Sequence, residues 1–332
     1  MNFMCKYSHH IRIMKLILGV TVGVILIGIA GMLYLQNNVN EESETIFFTL
    51  QGDNTVNSYP NENNWNAGEK MTYVSTTKNG LLVLATSSAS DTVFAFNGET
   101  GDSMDTFHVG KTPKGVKISP NGNFAFVANE GSDSVSVINL ILGKIHTEIL
   151  VGKTPHNIIF NPSNELAFVT LQGEDKIAII DAKKFELIST FPVKGIPHNL
   201  DISPDGKFLY VTRIATNDVA VINLENKQII AEIPVTLGHH GIDVSPDGSR
   251  AYVSGIADDK ISVIDTESFD VIDQIKVGKG SHGIRTNSDG SILYVAVTQT
   301  NEIVEINTET LEIINSIPTG KMPFWIAVSD NP

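Results

Sequence analysis

The sequence is poor in cysteine, in tryptophan and in positive charge. Its 332 residues include one cysteine and two tryptophans, and 23 basic against 37 acidic side chains leave a net charge of −14 at pH 7. The cysteine, Cys5, lies close to the start of the chain. The remainder therefore contains no internal disulfide, no thiolate metal site and no cysteine nucleophile.

The shortage of positive charge also excludes classes of partner. The first 35 residues contribute +3, so residues 36–332 carry −17. Nucleic-acid binding requires clustered lysine and arginine to displace counterions from phosphate, and the acidic excess disfavours it. Attraction to anionic lipid is disfavoured for the same reason, whereas cations or a basic partner fit better. The sequence has no Gly-x-Ser-x-Gly, His-Glu-x-x-His, P-loop or Cys-x-x-Cys-His motif, so no reaction is assigned.

Long hydrophobic runs are absent except at the N-terminus. Residues 1–15 are basic, and residues 16–35 contain no charged side chain. Twenty helical residues span roughly 30 Å, the thickness of a bilayer core, which predicts a transmembrane signal-anchor helix. A cleaved signal peptide is the competing interpretation. The positive-inside rule predicts a cytoplasmic N-terminus, with the 36–44 linker and residues 45–332 outside, at the periplasm or cell surface of a prokaryote.

The dominant feature of the chain is a segment, residues 235–276, that recurs with a period of 42 residues. The same slot is filled at that interval by Val109, Val151, Val193, Val235, Val277 and Thr319. One further period back, a more divergent copy begins at Ala67. A fixed period near 40 residues is typical of propeller blades or solenoids.

Each copy has the pattern of four short strands. In residues 235–276 the apolar runs are 240–244, 250–254, 260–265 and 269–277, with a hydrophobic period of two. A Ser-Pro-Asp-Gly turn separates the first two runs, and a turn beginning at Asp265 separates the last two. Four strands in about 40 residues match one blade of a β-propeller.

The two ends of the chain are complementary. Residues 48–53 resemble residues 169–174, the second strand of another copy, and the last copy stops after a single strand at residues 319–329. Six complete copies plus one blade shared between the ends predict an all-β, seven-bladed propeller over residues 45–332. Closure of the ring in this way removes exposed sheet edges. A solenoid is the alternative, but it requires capping repeats instead of complementary half-repeats.

The repeated motifs resemble those of a known family. Gly-x-x-Pro-His, Ser-Pro-Asp-Gly and Tyr210-Val211-Thr212 are similar to the YVTN-type β-propeller repeats of YncE-like and archaeal surface-layer proteins. Arg213 replaces the usual asparagine after the Tyr-Val-Thr sequence. The resemblance covers about residues 45–332 and implies seven blades. It implies no single function, because family members range from surface scaffolds to proteins that bind redox centres.

One column of the repeat is rich in histidine. Spaced 42 residues apart, its members are Thr72, Lys114, His156, His198, His240, His282 and Phe324. All lie at the start of the first strand, which lines the channel of a propeller. The four imidazoles predict either a site for a transition metal or haem, since imidazole suits Zn, Cu, Fe and Ni, or a structural role as part of the repeat consensus. Haem-binding and copper-cluster propellers among similar proteins add weight to the first hypothesis.

A second set of candidates departs from the repeat. Arg213 and Arg285 are unusual in their columns, and an arginine near the channel can clamp a carboxylate or phosphate. A paired surface cation is the alternative for each. Trp325 falls where other copies have glycine or asparagine, so it lines or plugs the channel or packs in the core. Lys114 stands in place of histidine in its column, which makes it a fourth candidate ligand-binding residue.

The sequence therefore predicts a membrane-anchored, extracytoplasmic propeller that acts as a binding scaffold for a protein or small-molecule ligand at a channel mouth. The alternative is a redox-associated propeller that holds a metal or haem through the channel histidines. A metal-dependent hydrolase or lactonase is the third hypothesis. It requires acidic ligands that converge in the channel, and the strand starts contain no repeated acid column.

Overall fold

The computed structural model describes residues 44–61, 63–238 and 241–330, and every regular element among them is a β-strand. These strands form seven antiparallel sheets of four strands each. They are numbered β1 to β28 in chain order, and the sheets are called blades 1 to 7. The predicted all-β, seven-bladed fold is confirmed.

The bounds of the strands follow the repeat. Blade 1 comprises Met71–Thr76 (β4), Leu82–Ser87 (β5), Thr92–Asn97 (β6) and Ser103–His108 (β7). Blade 2 comprises Pro113–Ile118 (β8), Phe124–Asn129 (β9), Ser134–Asn139 (β10) and Lys144–Leu150 (β11). Blade 3 comprises Pro155–Phe160 (β12), Leu166–Leu171 (β13), Lys176–Asp181 (β14) and Glu186–Pro192 (β15). Blade 4 comprises Pro197–Ile202 (β16), Phe208–Arg213 (β17), Asp218–Asn223 (β18) and Gln228–Pro234 (β19).

The remaining three blades include the one shared between the ends. Blade 5 comprises Ile242–Val244 (β20), Arg250–Ser254 (β21), Lys260–Asp265 (β22) and Val271–Lys276 (β23). Blade 6 comprises Ser281–Thr286 (β24), Ile292–Val297 (β25), Glu302–Asn307 (β26) and Ile313–Pro318 (β27). Blade 7 comprises Ile46–Leu50 (β1), Thr55–Tyr59 (β2), Asn64–Asn66 (β3) and Pro323–Val328 (β28).

The ring closes through blade 7. Its order is β28-β1-β2-β3, so the last strand of the chain is innermost and the first three strands complete the sheet. Ile46 pairs with Val328, and Phe47 pairs with Ala327. The first strand of every blade contacts the first strands of both neighbouring blades, which closes the circle around a central channel. The predicted pairing of complementary ends is therefore confirmed.

Predicted and observed strands agree closely in residues 235–276. The second and third runs coincide with β21 and β22, whereas the fourth strand begins at Val271 and not at Phe269. The Asp265 side chain accepts hydrogen bonds from the backbone N–H groups of Glu267 and Ser268, and Phe269 has a φ of +61°. This turn is longer than the apolar pattern indicated, because apolar Phe269 belongs to the turn.

The hydrophobic core lies between adjacent blades. Phe126 of blade 2 meets Phe160 of blade 3, with ring centroids 4.9 Å apart. Both side chains are buried, as are valine, isoleucine and alanine residues of both blades around them. Because each sheet buries both faces against its neighbours, nearly every residue of the second and third strands is shielded from water.

Hydroxyl groups also join the blades near the channel. Thr170 Oγ1 accepts a hydrogen bond from Asn157 N–H of its own blade at 3.0 Å and donates to the His198 carbonyl of the next blade at 2.8 Å. Thr86 and Ser254 make the same pair of bonds, with Lys114 and His282 as the next-blade acceptors. The hydroxyl groups of Thr86, Thr170 and Ser254 thus join neighbouring blades, and the first strand of blade 3 bulges beside Thr170.

The predicted transmembrane helix, residues 16–35, lies outside the described residues. Among the residues that the structure describes, no helix is long and apolar enough to cross a membrane.

Candidate functional site

The channel is lined by three layers of side chains, one residue per blade in each layer. The histidine layer is the column of Thr72, Lys114, His156, His198, His282 and Phe324, and its seventh position, His240, lies outside the described residues. The plug layer is Tyr73, Gly115, Asn157, Asn199, Gly241, Gly283 and Trp325. The charged layer is Ser75, Lys117, Ile159, Asp201, Asp243, Arg285 and Ala327. The histidine layer lies where the inner strands begin; the charged layer lies towards the Ser-Pro-Asp-Gly turns, here called the turn face.

Each described histidine packs against another ring of its layer. The rings of His156 and His198 pack together with centroids 4.1 Å apart, whereas His282 lies against Phe324 at 3.8 Å. All three imidazoles are buried. His198 Nδ1 lies 3.0 Å from Asn199 Nδ2, so the amide donates to that ring nitrogen. The three described imidazoles are thus packed against other rings inside the protein.

Tyr73 crosses the channel beneath the histidines. Its hydroxyl donates to Asn199 Oδ1 at 3.1 Å and lies 2.9 Å from His156 Nε2, although these residues belong to blades 4 and 3 and Tyr73 to blade 1. Asn199 Oδ1 also accepts from Asn157 Nδ2 at 2.6 Å. Burial raises the pKa of the Tyr73 hydroxyl well above its ordinary value. A neutral phenol in a buried polar network is therefore part of the channel wall.

Trp325 completes the plug. It is 4% exposed, and its ring centroid is 4.4 Å from that of Tyr73. The glycines of the layer make room for this arrangement: a Cβ on Gly283 would lie 2.7 Å from Trp325 Cα, and one on Gly115 would lie 2.5 Å from Asn157 Oδ1. Of the roles predicted for Trp325, the structure places it as a plug packed against a second aromatic ring.

The charged layer contains a buried ion cluster centred on Arg285. Its Nη1 is 2.5 Å from Asp243 Oδ1 and 3.4 Å from Asp201 Oδ2. Each carboxylate also joins two blades, because Asp201 accepts from Val244 N–H at 2.9 Å and Asp243 accepts from Thr286 N–H at 2.7 Å. The two carboxylates thus converge on Arg285, which is the centre of an ion cluster that joins three blades.

Lys117 differs from the other charged members of its layer. Its Nζ forms no hydrogen bond or ion pair with any residue in the described part of the chain. Burial and the nearby positive charge of Arg285 lower the pKa of Lys117 to about 8, and Asp201 and Asp243 offset this only in part. Burial raises the pKa of Asp201 above its ordinary value, although Arg285 opposes that shift. Lys117 is therefore a cation with little compensation inside the protein.

A recess opens beside Lys117 on the turn-face side of the plug. Its inner part is a cavity of about 140 Å³, lined by Ser75, Lys117, Asn157, Arg285 and Trp325 among others. Its outer part is a groove of about 510 Å³ with walls from Ile118, Pro120, Ile159 and Phe160. Thr76, Lys117 and Ile118 line both parts, so the two adjoin. The arrangement offers a cation at the junction of a small polar cavity and a larger apolar groove.

The predicted metal or haem site includes His240, so its four histidines do not all belong to the described part of the chain. No group of three or more His, Cys, Asp or Glu side chains there is arranged to hold a metal ion. His156 Nε2 lies 2.9 Å from the Tyr73 hydroxyl, and the Tyr73 ring packs against Trp325. We derive no chemistry through such a group.

Two other predicted residues lie apart from the recess. Arg213 is buried within blade 4, where it pairs with Asp218 at 2.5 Å and with Glu232 at 2.8 Å. Lys114 lies in the histidine layer and pairs with Glu130 at 3.2 Å. The structure therefore brings Arg285 and Trp325 together around the recess, and it separates Arg213 and Lys114 from it.

Sequence reasoning missed Lys117, Ser75 and Tyr73. The signal for Lys117 was present, because it shares a 42-residue column with Asp201, Asp243 and Arg285. Arg285 stands out in this column because two other copies have aspartate. Had the column been followed further towards the N-terminus in steps of 42 residues, it would have included Lys117 and Ser75. Tyr73 gave no such signal, since its partners are 83 and 126 residues away.

Comparison with protein families supports the resemblance inferred from the repeats. A family model described as a YncE-like beta-propeller matches residues 210–291. The expected similarity to YncE-like propellers is confirmed by this match. None of the curated proteins compared with the chain matches it.

Solved structures share the fold at low sequence identity. Hydrazine synthase of Kuenenia stuttgartiensis superposes with a TM-score of 0.70 at 18% identity, over 77% of this chain and 89% of the other. A functionally unknown protein from Desulfotomaculum acetoxidans gives 0.77 at 15% identity, over 87% and 100%. Dihydro-heme d1 dehydrogenase NirN, in complex with DHE, gives 0.63 at 14% identity, over 85% and 74%. These likenesses establish the propeller fold and nothing about the site.

Proposed function

We propose that this propeller is a binding scaffold whose ligand site is the recess on the turn face of the channel. The observation that carries the proposal is the adjoining cavity and groove, of about 140 and 510 Å³, which share Lys117 in their walls. Ligand sites are typically concave and mostly apolar, with a few polar groups that fix orientation. The combination of Ile118, Ile159 and Phe160 with Lys117 and Ser75 has this composition.

The rigidity of the surrounding layers supports the proposal. Arg285, Asp201 and Asp243 tie blades 4, 5 and 6 together, and Trp325, which lines the cavity, packs against Tyr73. A binding group positioned by packed neighbours loses little freedom when a ligand arrives. The recess is therefore preorganised, which is the condition under which a small site binds well.

A redox function is the second hypothesis inferred from the sequence, and we do not propose it for this protein. One structural neighbour is a dihydro-heme d1 dehydrogenase, but at 14% identity this likeness carries the fold alone. The described histidines engage Tyr73, Asn199 and Phe324, and no metal-binding group is present among the described residues. A binding role at the charged layer has the stronger geometric support.

We also propose that residues 16–35 anchor the protein in the cell membrane, with the propeller outside the cytoplasm. The support is the charge-free run of 20 residues preceded by basic residues and followed by acidic ones. Fusion of a periplasm-dependent reporter enzyme after residue 332 tests this topology. Reporter activity is expected, and activity of only a cytoplasm-dependent reporter at the same position would contradict it.

A fragment screen on the purified full chain tests the binding site. Acids, amines and neutral fragments are screened by ligand-observed NMR against the wild type and against Ala327→Leu. Ala327 lines the cavity and is 8% exposed, so the added methyl groups fill it. We expect fragments to bind the wild type and to lose about tenfold or more in affinity in the variant.

The matched control is Ala182→Leu. Ala182 is also 8% exposed and lines a separate recess of about 280 Å³ between Phe124, Phe126 and Phe185. It fills a different cavity with the same substitution, so the fragments are expected to keep their affinity. Absence of any bound fragment, or equal loss in both variants, would refute the turn-face recess as the ligand site.

A further inference from the structure

The turn-face recess contains a cation whose charge is not used by the fold. Arg285 forms ion pairs with Asp243 and Asp201 through Nη1, whereas Lys117 Nζ has no hydrogen bond or ion pair with the described residues. Removing a charge from water is costly unless a partner of opposite charge replaces the lost hydration. A ligand with negative charge at Lys117 would supply that partner.

The geometry points to a monoanionic carboxylate with an apolar body as the ligand of this recess, bound through Lys117 and Ser75. This inference rests on the proposed function and specifies its ligand class. Ser75 Oγ accepts from Ile118 N–H at 3.1 Å, so its hydroxyl proton is available to an acceptor in the cavity. Lys117 and Ser75 belong to adjacent blades and line the same cavity.

The charge of the layer limits the ligand to one negative charge. Lys117 and Arg285 are matched in number by Asp201 and Asp243, which both lie in the same layer. A second negative charge on the ligand would meet these carboxylates in a partly buried site, where electrostatic repulsion is poorly screened. The net charge of −14 for the whole chain acts in the same direction. A dianion such as a phosphate monoester is therefore disfavoured.

The groove indicates the chemical character of the rest of the ligand. Ile118, Ile159 and Phe160 are all less than 8% exposed and form an apolar wall next to Lys117. A volume of about 510 Å³ falls in the range typical of sites for small organic molecules. A carboxylate head in the cavity would place its hydrocarbon or aromatic body along this wall. The ligand class is thus a small organic acid.

The test uses purified full-length protein and matched pairs of probes. Phenylacetate, phenylacetamide and benzyl phosphate share a body and differ in the head, and hexanoate and hexanamide form a second pair. Dissociation constants are measured by NMR titration. We expect the carboxylates to bind about tenfold or more tightly than their amides, because a charge-assisted hydrogen bond to Lys117 is lost in the amide. The phosphate is expected to bind more weakly than the carboxylate.

Two lysines on β8 provide the variant and its control. Lys117→Met is expected to reduce carboxylate affinity by about tenfold or more and to leave amide affinity within about threefold. Lys114→Met removes the same charge from the same strand, three residues earlier and in the histidine layer, and is expected to change neither. Ala327→Leu is expected to weaken every probe.

The outcomes separate the two proposals. If acids and amides bind equally, and Lys117→Met has no effect while Ala327→Leu abolishes binding, the recess is a ligand site and the anionic class is refuted. Tighter binding of benzyl phosphate than of phenylacetate would refute the limit of one charge. Failure of both carboxylates to bind the wild type would overturn this inference, whereas the fragment screen decides whether the recess binds ligands of any other class.

Discussion

The histidine layer and the charged layer are three residues apart on the same seven strands, yet they differ in how the repeat is used. The first keeps histidine in four of seven copies, and its described members pack together and join blades through their carbonyl groups. The second has a different residue in almost every copy, and it contains the recess. In this fold, a residue that recurs in many blades takes part in the contacts between neighbouring blades. Residues that depart from the repeat form a site at one place in the channel.

The plug between these layers is expected to carry the largest share of stability. Trp325→Ala removes a buried ring that packs against Tyr73, and a loss of about 3–5 kcal/mol in the free energy of unfolding is expected. Urea denaturation followed by circular dichroism measures it. Trp325→Phe keeps much of the ring and is expected to cost clearly less. A cost below about 1 kcal/mol for the alanine variant would show that the plug is not a structural element.

The hydroxyl of Tyr73 is the next largest contributor. Tyr73→Phe leaves Asn199 Oδ1 with one donor fewer and His156 Nε2 without its phenol partner in a buried site, so we expect a loss of about 1–3 kcal/mol. Tyr210→Phe is the control, because Tyr210 is equally buried and its hydroxyl forms no hydrogen bond with the residues that the structure describes. A change within about 0.5 kcal/mol is expected there. Equal costs in the two variants would contradict the network.

The charged layer is expected to make the stability of the protein depend on pH. The pKa of Lys117 is lowered to about 8 in the folded protein from an ordinary value of 10.5, so the unfolded chain binds more protons between these values and stability rises with pH in that window. Wild type should therefore gain about 2–3 kcal/mol relative to Lys117→Met between pH 7 and pH 10. The unfolding free energies of both proteins at the two pH values test this. A difference that does not change with pH would show that Lys117 is not held as an uncompensated cation.

Most of the fold was predictable from the sequence, because each blade repeats the same turn and strand signals. The Asp265 turn and the complementary ends are local patterns that recur in register. The site was less predictable for a physical reason. The Tyr73 hydroxyl meets side chains two and three blades away, and such contacts across a ring depend on side-chain length and direction, which no periodicity encodes. The importance of Arg285 was visible as a departure from its column, but its engagement with Asp243 was not.

The smallest effect on stability and on binding is expected for substitution of Lys114, which lies on the same strand as Lys117. Lys114 and its partner Glu130 are each about one-quarter exposed, and their atoms are 3.2 Å apart. Ion pairs of this kind contribute about 0–1 kcal/mol, so Lys114→Met should cost less than about 1 kcal/mol and should leave carboxylate binding unchanged. Denaturation and the probe titrations measure both effects on one variant. Because Lys114 and Lys117 lie on the same strand, a loss of binding in Lys114→Met would place the ligand in the histidine layer and reverse the roles assigned to the two layers.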